Sequence, residues 1–319
     1  MELTTIYAIL GFALAAYSVV ANDVIQTLGT FLSSNSKRNW LILWLYAGLI
    51  LAATLIIGWM LNDGDVTYGR LSKIPLPDQL QWWHLLPPLI LLVITQIGIP
   101  VSTTFMILSV FSTGVMIEKM VVKSVAGYAL AFIFAFIIYL LISKRFESKS
   151  ELDKVELKRN KKKWIIAQWF STAFLWSQWL IQDFANIYVY LPRKLALFEL
   201  IVSLTFILFL LAIIFRIKGG RIQNIVKQKT NTANIRSATL IDFTYGILLY
   251  FFTVINTIPM STTWAFVGIL AGREYAINYL LNKHLIKDTY KKIFKDLYKV
   301  NIGLVASIII AIIIKYLNA

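Results

Sequence analysis

Residues 20–30 read VANDVIQTLGT and residues 99–104 read IPVSTT, and a closely similar pair of motifs follows in the second half of the chain. There, residues 181–187 read IQDFANI and residues 258–263 read IPMSTT. All four motifs lie in strongly apolar sequence, where a buried polar group is costly unless it is satisfied or used. Polar motifs doubled in this way are typical of membrane transporters built from internal repeats.

The spacing between the motifs is nearly the same in both halves. Asp23 precedes Ser102 by 79 positions, and Asp183 precedes Ser261 by 78. A motif pair repeated at one spacing predicts a repeated structure. The predicted organisation is a first transmembrane repeat at 1–143, a basic cytoplasmic linker at 144–163 and a second transmembrane repeat at 164–319.

The composition is that of an integral membrane protein. Hydrophobic residues make up 58% of the 319, and the mean hydropathy is +0.71. Uncharged windows at 41–62, 125–143 and 243–272 reach the length of about 20 residues that a bilayer core requires. The absence of cysteine excludes disulfides and thiolate chemistry. The first ten residues lack a basic region and a cleavage motif, so they are predicted to begin a membrane helix and not a removed signal.

Charged residues predict the orientation of the helices. The net charge of +15 is attributed to cytoplasmic loops and not to nucleic-acid binding, because no nucleic-acid module is visible. If each Pro-x-Ser-Thr-Thr motif forms the tip of a hairpin, each half crosses the membrane three times and the halves are inverted. The inside regions then hold 24 of the 31 Lys and Arg residues, at 35–39, 144–163, 216–236 and 273–299. The alternative is that the segments flanking both prolines cross fully.

The predicted helices follow one plan in both halves. Those of the first half are 4–33, 40–61, 85–97, 102–116 and 124–143. Those of the second half are 164–191, 195–215, 239–258, 261–271 and 301–316, with a charged surface segment at 273–299. The predicted fold class is therefore an all-α, polytopic bundle of two inverted-topology repeats with broken or re-entrant helices.

The Pro-x-Ser-Thr-Thr motifs are candidates for binding an anion. Proline breaks a helix, and Ser or Thr after it caps the helix that follows. The first turn of that helix has unpaired N–H groups and a partial positive charge, which suit an oxyanion. The alternative is that the hydroxyls only cap a kinked helix. The candidate substrate-binding residues are Ser102, Thr103, Thr104, Ser261, Thr262 and Thr263.

The acidic motifs are candidates for carrying a cation or a proton. Carboxylates inside a membrane are usually functional, because burying their charge is costly. Amide residues flank both acids, and an acid and the amide three residues on share a helical face. The alternative is an interfacial acid near a loop. The candidate coupling residues are Asn22, Asp23, Gln26, Gln182, Asp183 and Asn186.

Other residue types carry no predicted chemistry. His84 follows two tryptophans and is predicted to lie at the membrane interface, and Asp242 is predicted to lie near a membrane end without a role. No P-loop, nucleophile elbow or zinc motif is present. The chain is therefore predicted not to be an enzyme and to bind no cofactor or metal, except possible Na⁺ at the coupling residues.

The four motifs together resemble the inorganic phosphate transporter (PiT) family, which includes sulfate-permease relatives. That family has G-A-N-D-V-A-N-A near the start of each half and P-V-S-T-T-H later in each half. The resemblance covers both halves and implies inverted repeats, a homodimer and symport of phosphate with Na⁺ or H⁺. It also implies that the two acids with their amide neighbours serve the cation and that the Ser-Thr-Thr runs hold the anion.

The chain departs from the family pattern near both predicted sites. Val20 replaces a glycine, and Gln26 and Gln182 replace asparagines, which reshapes the cation site. Phe105 and Trp264 replace the histidine after each Ser-Thr-Thr run and remove a titratable group.

The predicted function is secondary active transport of inorganic phosphate across the plasma (inner) membrane by alternating access. The alternatives are a permease for sulfate or another small oxyanion, an anion channel, and a non-transporting membrane protein of the same fold.

Overall fold

The computed structural model shows a chain made mainly of α-helices. It describes residues 2–97, 101–146, 159–218, 235–255 and 257–317. Within these ranges, the side chains of 25, 26, 95–97 and 143–146 are not described. The first half contains α1 Leu3–Ser34, α2 Trp40–Leu61, α3 Leu86–Ile97, α4 Ser109–Phe111 and α5 Gly114–Phe146. The second half contains α6 Lys161–Asp183, α7 Ala185–Tyr188, α8 Leu197–Arg216, α9 Ile235–Ile255, α10 Thr262–Leu281 and α11 Ile286–Leu317. A 3₁₀ turn, Trp82–Leu85, precedes α3, and a π-helical turn, Thr104–Leu108, precedes α4.

Six segments of the described chain are long and apolar enough to cross a membrane. They are Leu3–Val24, Trp40–Leu61, Gly114–Ile142, Leu197–Arg216, Ile235–Ile255 and Lys283–Leu317. Large apolar side chains such as Leu49, Phe198 and Ile312 are exposed on their outer faces, as expected for contact with lipid. The chain is therefore an all-α, multi-pass membrane protein, as predicted.

Helix α6 is less apolar than these six spans, although it lies inside the bundle. Its buried residues include Gln168, Ser171 and Thr172 as well as Asp183 at its end. Polar side chains inside a membrane are tolerated where neighbouring helices shield them from lipid. The low hydropathy of α6 therefore reflects its central position among the other helices.

Two helices begin earlier than predicted. Helix α5 starts ten residues before the predicted boundary, because the chain is extended at Ser112 and the hydroxyl of Thr113 then accepts a hydrogen bond from the N–H of Met116 at 3.3 Å. Helix α11 starts fifteen residues early, with Asp288 in its first turn, where an acid favours a helix start. The charged segment predicted at 273–299 is therefore divided between α10 and α11, and most of its α11 residues are exposed or partly exposed.

The segments that precede the two prolines differ in length. Helix α3 has 12 residues and rises about 18 Å, which is too short to cross a bilayer core of about 30 Å. Helix α9 has 21 residues and rises about 32 Å. The predicted re-entrant arm therefore fits the length of α3, whereas α9 is long enough to cross.

The last helix of each half packs against the other half. Helix α5 lies against α10, and α11 lies against the π-helical turn and α4. Gly268 and Gly272 permit the close approach of α10: a Cβ atom at these positions would lie 2.5 Å from the carbonyl oxygen of Tyr128 and 2.2 Å from that of Phe132. Small residues one turn apart allow membrane helices to approach closely. Because the last helix of each half packs against the other half, both Ser-Thr-Thr motifs are enclosed between the two halves.

Most of the predicted linker and of the loop at 216–236 lies outside the described residues. Of the linker, residues 144–146 end α5 and 161–163 begin α6. The proposed boundaries at 143 and 164 therefore stay predictions.

Candidate functional site

Both Ser-Thr-Thr motifs begin a buried helical turn. The hydroxyl of Ser102 accepts a hydrogen bond from the N–H of Phe105 at 3.3 Å, and Ser261 accepts one from Trp264 at 3.3 Å. The first cap opens onto the π-helical turn Thr104–Leu108, a rare geometry that is frequent at functional sites. Since the serines act as caps, the threonine hydroxyls supply the contacts to the acids.

Asp23 is buried in α1 and bonded by residues of its own half. The hydroxyl of Thr103 donates a hydrogen bond to Asp23 Oδ2, and Asn22 Nδ2 donates to Oδ1 at 2.8 Å. Asn22 Nδ2 also donates to the carbonyl oxygen of Val101 at 3.3 Å. The acidic motif and the Ser-Thr-Thr motif of the first half are therefore in direct contact.

Asp183 ends α6 and is bonded by residues of both halves. Within the second half, the hydroxyl of Thr262 donates to Asp183 Oδ2 at 2.5 Å, and Asn186 Nδ2 donates to Oδ1 at 3.1 Å. From the first half, the hydroxyl of Thr104 donates to the same Oδ1 at 3.2 Å. A single carboxylate thus collects donors from both Ser-Thr-Thr motifs.

Further hydrogen bonds join the halves at this point. Asn186 Nδ2 also lies 3.0 Å from the hydroxyl oxygen of Thr103 and 3.3 Å from that of Thr104, so its two hydrogens are shared among these oxygens and Asp183. The hydroxyl of Thr104 lies 3.2 Å from the carbonyl oxygen of Met260. The two buried carboxylates of Asp23 and Asp183 also repel each other electrostatically. The four motifs therefore form one polar cluster with an excess of acidic groups.

An amide oxygen in this cluster has no hydrogen-bond partner. Asn186 Oδ1 is buried and accepts no hydrogen bond from any described residue. Buried acceptors normally have a partner. Carboxylate, hydroxyl and amide oxygens are the ligands that hard cations prefer. Among the described residues, no group of three or more His, Cys, Asp or Glu could hold a metal ion.

Of the remaining predicted site residues, Gln182 has surroundings that differ from the rest of the cluster. Gln182 Nε2 donates to the hydroxyl of Thr253 at 2.8 Å and to the carbonyl oxygen of Leu249 at 3.4 Å, so its amide faces α9 and not the acids. Thr263 is buried in the first turn of α10. Gln26 belongs to α1, but its side chain lies outside the described residues.

Two basic residues near the cluster could not be identified from the sequence. Arg70 is only 2% exposed; its Nε donates to the carbonyl oxygen of Ile181 at 2.8 Å, and its charge interacts with that of Asp183. Lys123 of α5 donates to the carbonyl oxygen of Ile258 at 2.6 Å, directly before Pro259. Both lie outside the regions predicted to face the cytoplasm, and neither belongs to one of the four motifs.

Two further residues are buried, which their sequence context does not indicate. Asp242 is fully buried, and it accepts hydrogen bonds from the hydroxyls of Thr30 at 2.5 Å and Thr172 at 2.6 Å. His84 is buried, with its ring 5.5 Å from that of Phe111. The partners of Asp242 lie on α1 and α6, so no local pattern connects them with it.

The fold matches that of one solved transporter. A structure described as "The sodium-dependent phosphate transporter" superposes with a TM-score of 0.66 and 16% sequence identity, over 99% of this chain and 100% of that one. Searches of family models and of curated proteins found no match. At this identity the likeness establishes the fold, which is that of an all-α, multi-pass membrane protein.

Proposed function

We propose that this chain is a divergent member of the inorganic phosphate transporter family that carries phosphate across the plasma membrane, driven by a Na⁺ or H⁺ gradient. The hydrogen bond from Thr104 of the first half to Asp183 of the second half is the observation that carries the proposal. It joins a residue of the candidate anion site to a residue of the candidate cation site. Coupled transport requires the occupancy of one site to affect the other.

The cation side of the proposal rests on the oxygens around Asp183. Thr104 and Thr262 bring hydroxyl oxygens to this carboxylate, and Asn186 Oδ1 is a buried acceptor without a partner among the described residues. A Na⁺ ion would give that oxygen a partner and would offset the charge of the acids. A proton on one carboxylate would reduce the repulsion between Asp23 and Asp183 in a similar way.

The anion side rests on the start of α10. This helix of 20 residues begins at Thr262, and Ser261 caps only one of its first-turn N–H groups. The remaining N–H groups and the positive end of the helix dipole suit an oxyanion. Because two carboxylates lie in the same cluster, the anion binds well only when a cation or proton has offset them. Binding of the cation or proton before the anion would explain why the two are transported together.

Alternating access follows from the division of the cluster between the halves. Thr103 and Thr104 come from the first half, whereas Asp183, Asn186 and Thr262 come from the second. A rocking motion of one half against the other opens the cluster to either side in turn, as in other transporters with repeated halves. We expect a homodimer, which light scattering of the detergent-solubilised protein would test.

Uptake of radiolabelled phosphate into proteoliposomes tests the proposed function. Under an imposed Na⁺ or H⁺ gradient, we expect wild type to accumulate phosphate and Asp23→Asn and Thr262→Val to lose accumulation. Asp63→Asn is a matched control, since Asp63 is an exposed acid that pairs with Lys194. Absence of uptake by folded wild type under every gradient would contradict the proposal, and uptake without accumulation would indicate a channel.

A specific observation favours sulfate as a second candidate substrate. Trp264 stands where the family has histidine, and its indole Nε1 is buried without a partner among the described residues. An indole N–H only donates hydrogen bonds. Sulfate only accepts hydrogen bonds at neutral pH, whereas hydrogen phosphate also donates one, which the indole cannot accept. Inhibition of phosphate uptake by equimolar sulfate would assign the chain as a broader oxyanion carrier.

A further inference from the structure

Arg70 has an unpaired hydrogen-bond donor in the interior of the protein. The residue is 2% exposed, and its Nη1 is buried without a hydrogen-bond partner among the described residues. Its Nε is bonded to the carbonyl oxygen of Ile181, two positions before Asp183. A guanidinium stays charged in proteins, and a buried charge that lacks partners is costly. The unpaired Nη1 is therefore a candidate donor to a ligand.

The turn that precedes Arg70 holds it in place. The carboxylate of Asp65 accepts hydrogen bonds from the N–H and hydroxyl of Thr67, both at 2.6 Å, and from the N–H of Gly69 at 2.7 Å. Tyr68 and Gly69 have positive φ angles of 54° and 74°, which are unusual for a residue such as tyrosine. Backbone in a sparsely populated conformation persists where its surroundings fix it. The guanidinium is therefore held before any ligand arrives.

A second positive charge lies close to Arg70. The charges of Arg70 and Lys123 repel each other, and Lys123 donates to the carbonyl oxygen of Ile258 at the start of the second Pro-x-Ser-Thr-Thr motif. Two like charges in the interior favour an anion between or beside them. Arg70 is also close enough to Asp183 for an electrostatic interaction. The pair therefore places positive charge next to the candidate oxyanion cradle at 261–263.

Neutralising Asp183 does not account for the position of Arg70. An arginine that serves as counter-ion normally forms a bidentate pair with the carboxylate. Arg70 instead bonds a backbone carbonyl oxygen through Nε, and Asp183 accepts hydrogen bonds from Thr104, Asn186 and Thr262. The free edge of the guanidinium is available to a third group.

We infer that Arg70 binds the transported oxyanion through Nη1 and, with Lys123 nearby, supplies the positive charge that the two Ser-Thr-Thr runs lack. The ligand class is a small tetrahedral dianion, for which the planar guanidinium has matched geometry. This inference rests on the proposed function and assigns a specificity-determining residue to it.

Binding of inorganic phosphate to the detergent-solubilised full chain tests the inference. Phosphate that binds the folded state raises the melting temperature, which the ten tryptophans report by fluorescence. Loss of a charge-assisted hydrogen bond predicts that Arg70→Gln raises the apparent Kd about tenfold or more. Arg70→Lys keeps the charge but loses the fork, so an intermediate Kd is expected.

Arg193→Gln is the matched control. Arg193 is partly buried, and its Nη1 and Nη2 donate to backbone carbonyl oxygens of Val189, Leu191 and Ile74, so only its Nε lacks a partner among the described residues. We expect Arg193→Gln to lower the melting temperature of the ligand-free protein and to leave the phosphate Kd unchanged. Equal increases of the Kd in both arginine variants would overturn the inference, because they would indicate a general structural effect.

The Asp183→Asn background separates anion binding from charge compensation. If Arg70 only offsets Asp183, then Arg70→Gln has no further effect on the phosphate Kd once Asp183 is neutral. We expect the same loss in both backgrounds. If Arg70→Gln binds phosphate with the wild-type Kd, the inference is overturned and the proposed function is left intact. If the glutamine variant does not fold, the same result in Arg70→Lys has the same meaning. Absence of stabilisation of wild type by phosphate or sulfate overturns both.

Discussion

Replacing Asn186 by alanine should weaken the coupling cation far more than replacing the nearby amide Gln182. Asn186→Ala removes the buried Oδ1 that lacks a partner and the hydrogen bond from Nδ2 to Asp183 at 3.1 Å. A hydrogen bond to a charged group contributes about 1.5–3 kcal/mol, and 1.4 kcal/mol corresponds to about tenfold in affinity. The half-saturating Na⁺ concentration should therefore rise about tenfold to a hundredfold. Initial rates of phosphate uptake into proteoliposomes, measured against Na⁺ concentration, give this value directly.

Gln182→Ala is the control for this measurement. Gln182 is also a buried amide at the end of α6 whose oxygen lacks a partner among the described residues, but its Nε2 bonds Thr253 on α9 and not the acids, so an unchanged Na⁺ dependence is expected. If protons and not Na⁺ drive uptake, Asn186→Ala should instead shift the pH at which the uptake rate is half-maximal, measured at constant Na⁺. A wild-type cation dependence in Asn186→Ala would refute the assignment of its oxygen as a ligand. An equal rise of the half-saturating cation concentration in both variants would show that helix packing, and not ligation by Asn186, determines the cation affinity.

The remaining predictions concern stability and pH. Gly272→Val should lower the melting temperature, with a cost of about 1–3 kcal/mol from overpacking, because its Cβ atom would lie 2.2 Å from a carbonyl oxygen of α5; Gly114→Ala, with no atom within 4 Å, should leave it unchanged or raised. Asp242→Ala should lower the melting temperature by leaving two buried threonine hydroxyls without their acceptor, and Asp242→Asn should recover part of the loss. Lys194 holds the pKa of Asp63 below its usual value. Because a lowered folded-state pKa contributes stability above the unfolded value near 4, and this stability is lost as the pH falls through the folded value, Asp63→Asn should lower the melting temperature slightly at neutral pH and leave it unchanged in strong acid.

Much of the candidate site could be predicted because its main contacts follow the repeated motifs. Thr103 bonds Asp23 across 80 positions, and Thr262 bonds Asp183 across 79. These distances along the chain match the spacing that the sequence repeats. Polar residues in long apolar runs stand out, so their types and positions identify the residues that the fold must bring together.

The rest of the site depends on the orientation of single side chains. Gln182 and Asn186 both flank Asp183 in sequence, yet one faces α9 and the other faces the acids. Arg70 lies in a loop whose composition indicates solvent, and it is buried because the turn that begins at Asp65 directs it inward. Asp242 meets its partners across 212 and 70 positions. A helical period does not specify which distant helix covers a residue, so these placements follow only from tertiary packing.

The hydroxyl of Thr104 links occupancy of the cluster to the relative position of the halves. It has one hydrogen to donate, and two acceptors of the second half, Asp183 Oδ1 and the carbonyl oxygen of Met260, each lie 3.2 Å away. It can therefore satisfy only one of them at a time. On the proposed function, a cation or proton at Asp183 would occupy the carboxylate oxygen and leave the hydroxyl to the Met260 carbonyl, one residue before the cap of α10. Binding at the acid would thus change a bond between the halves beside the proposed anion cradle, which is the physical requirement for coupling the two substrates.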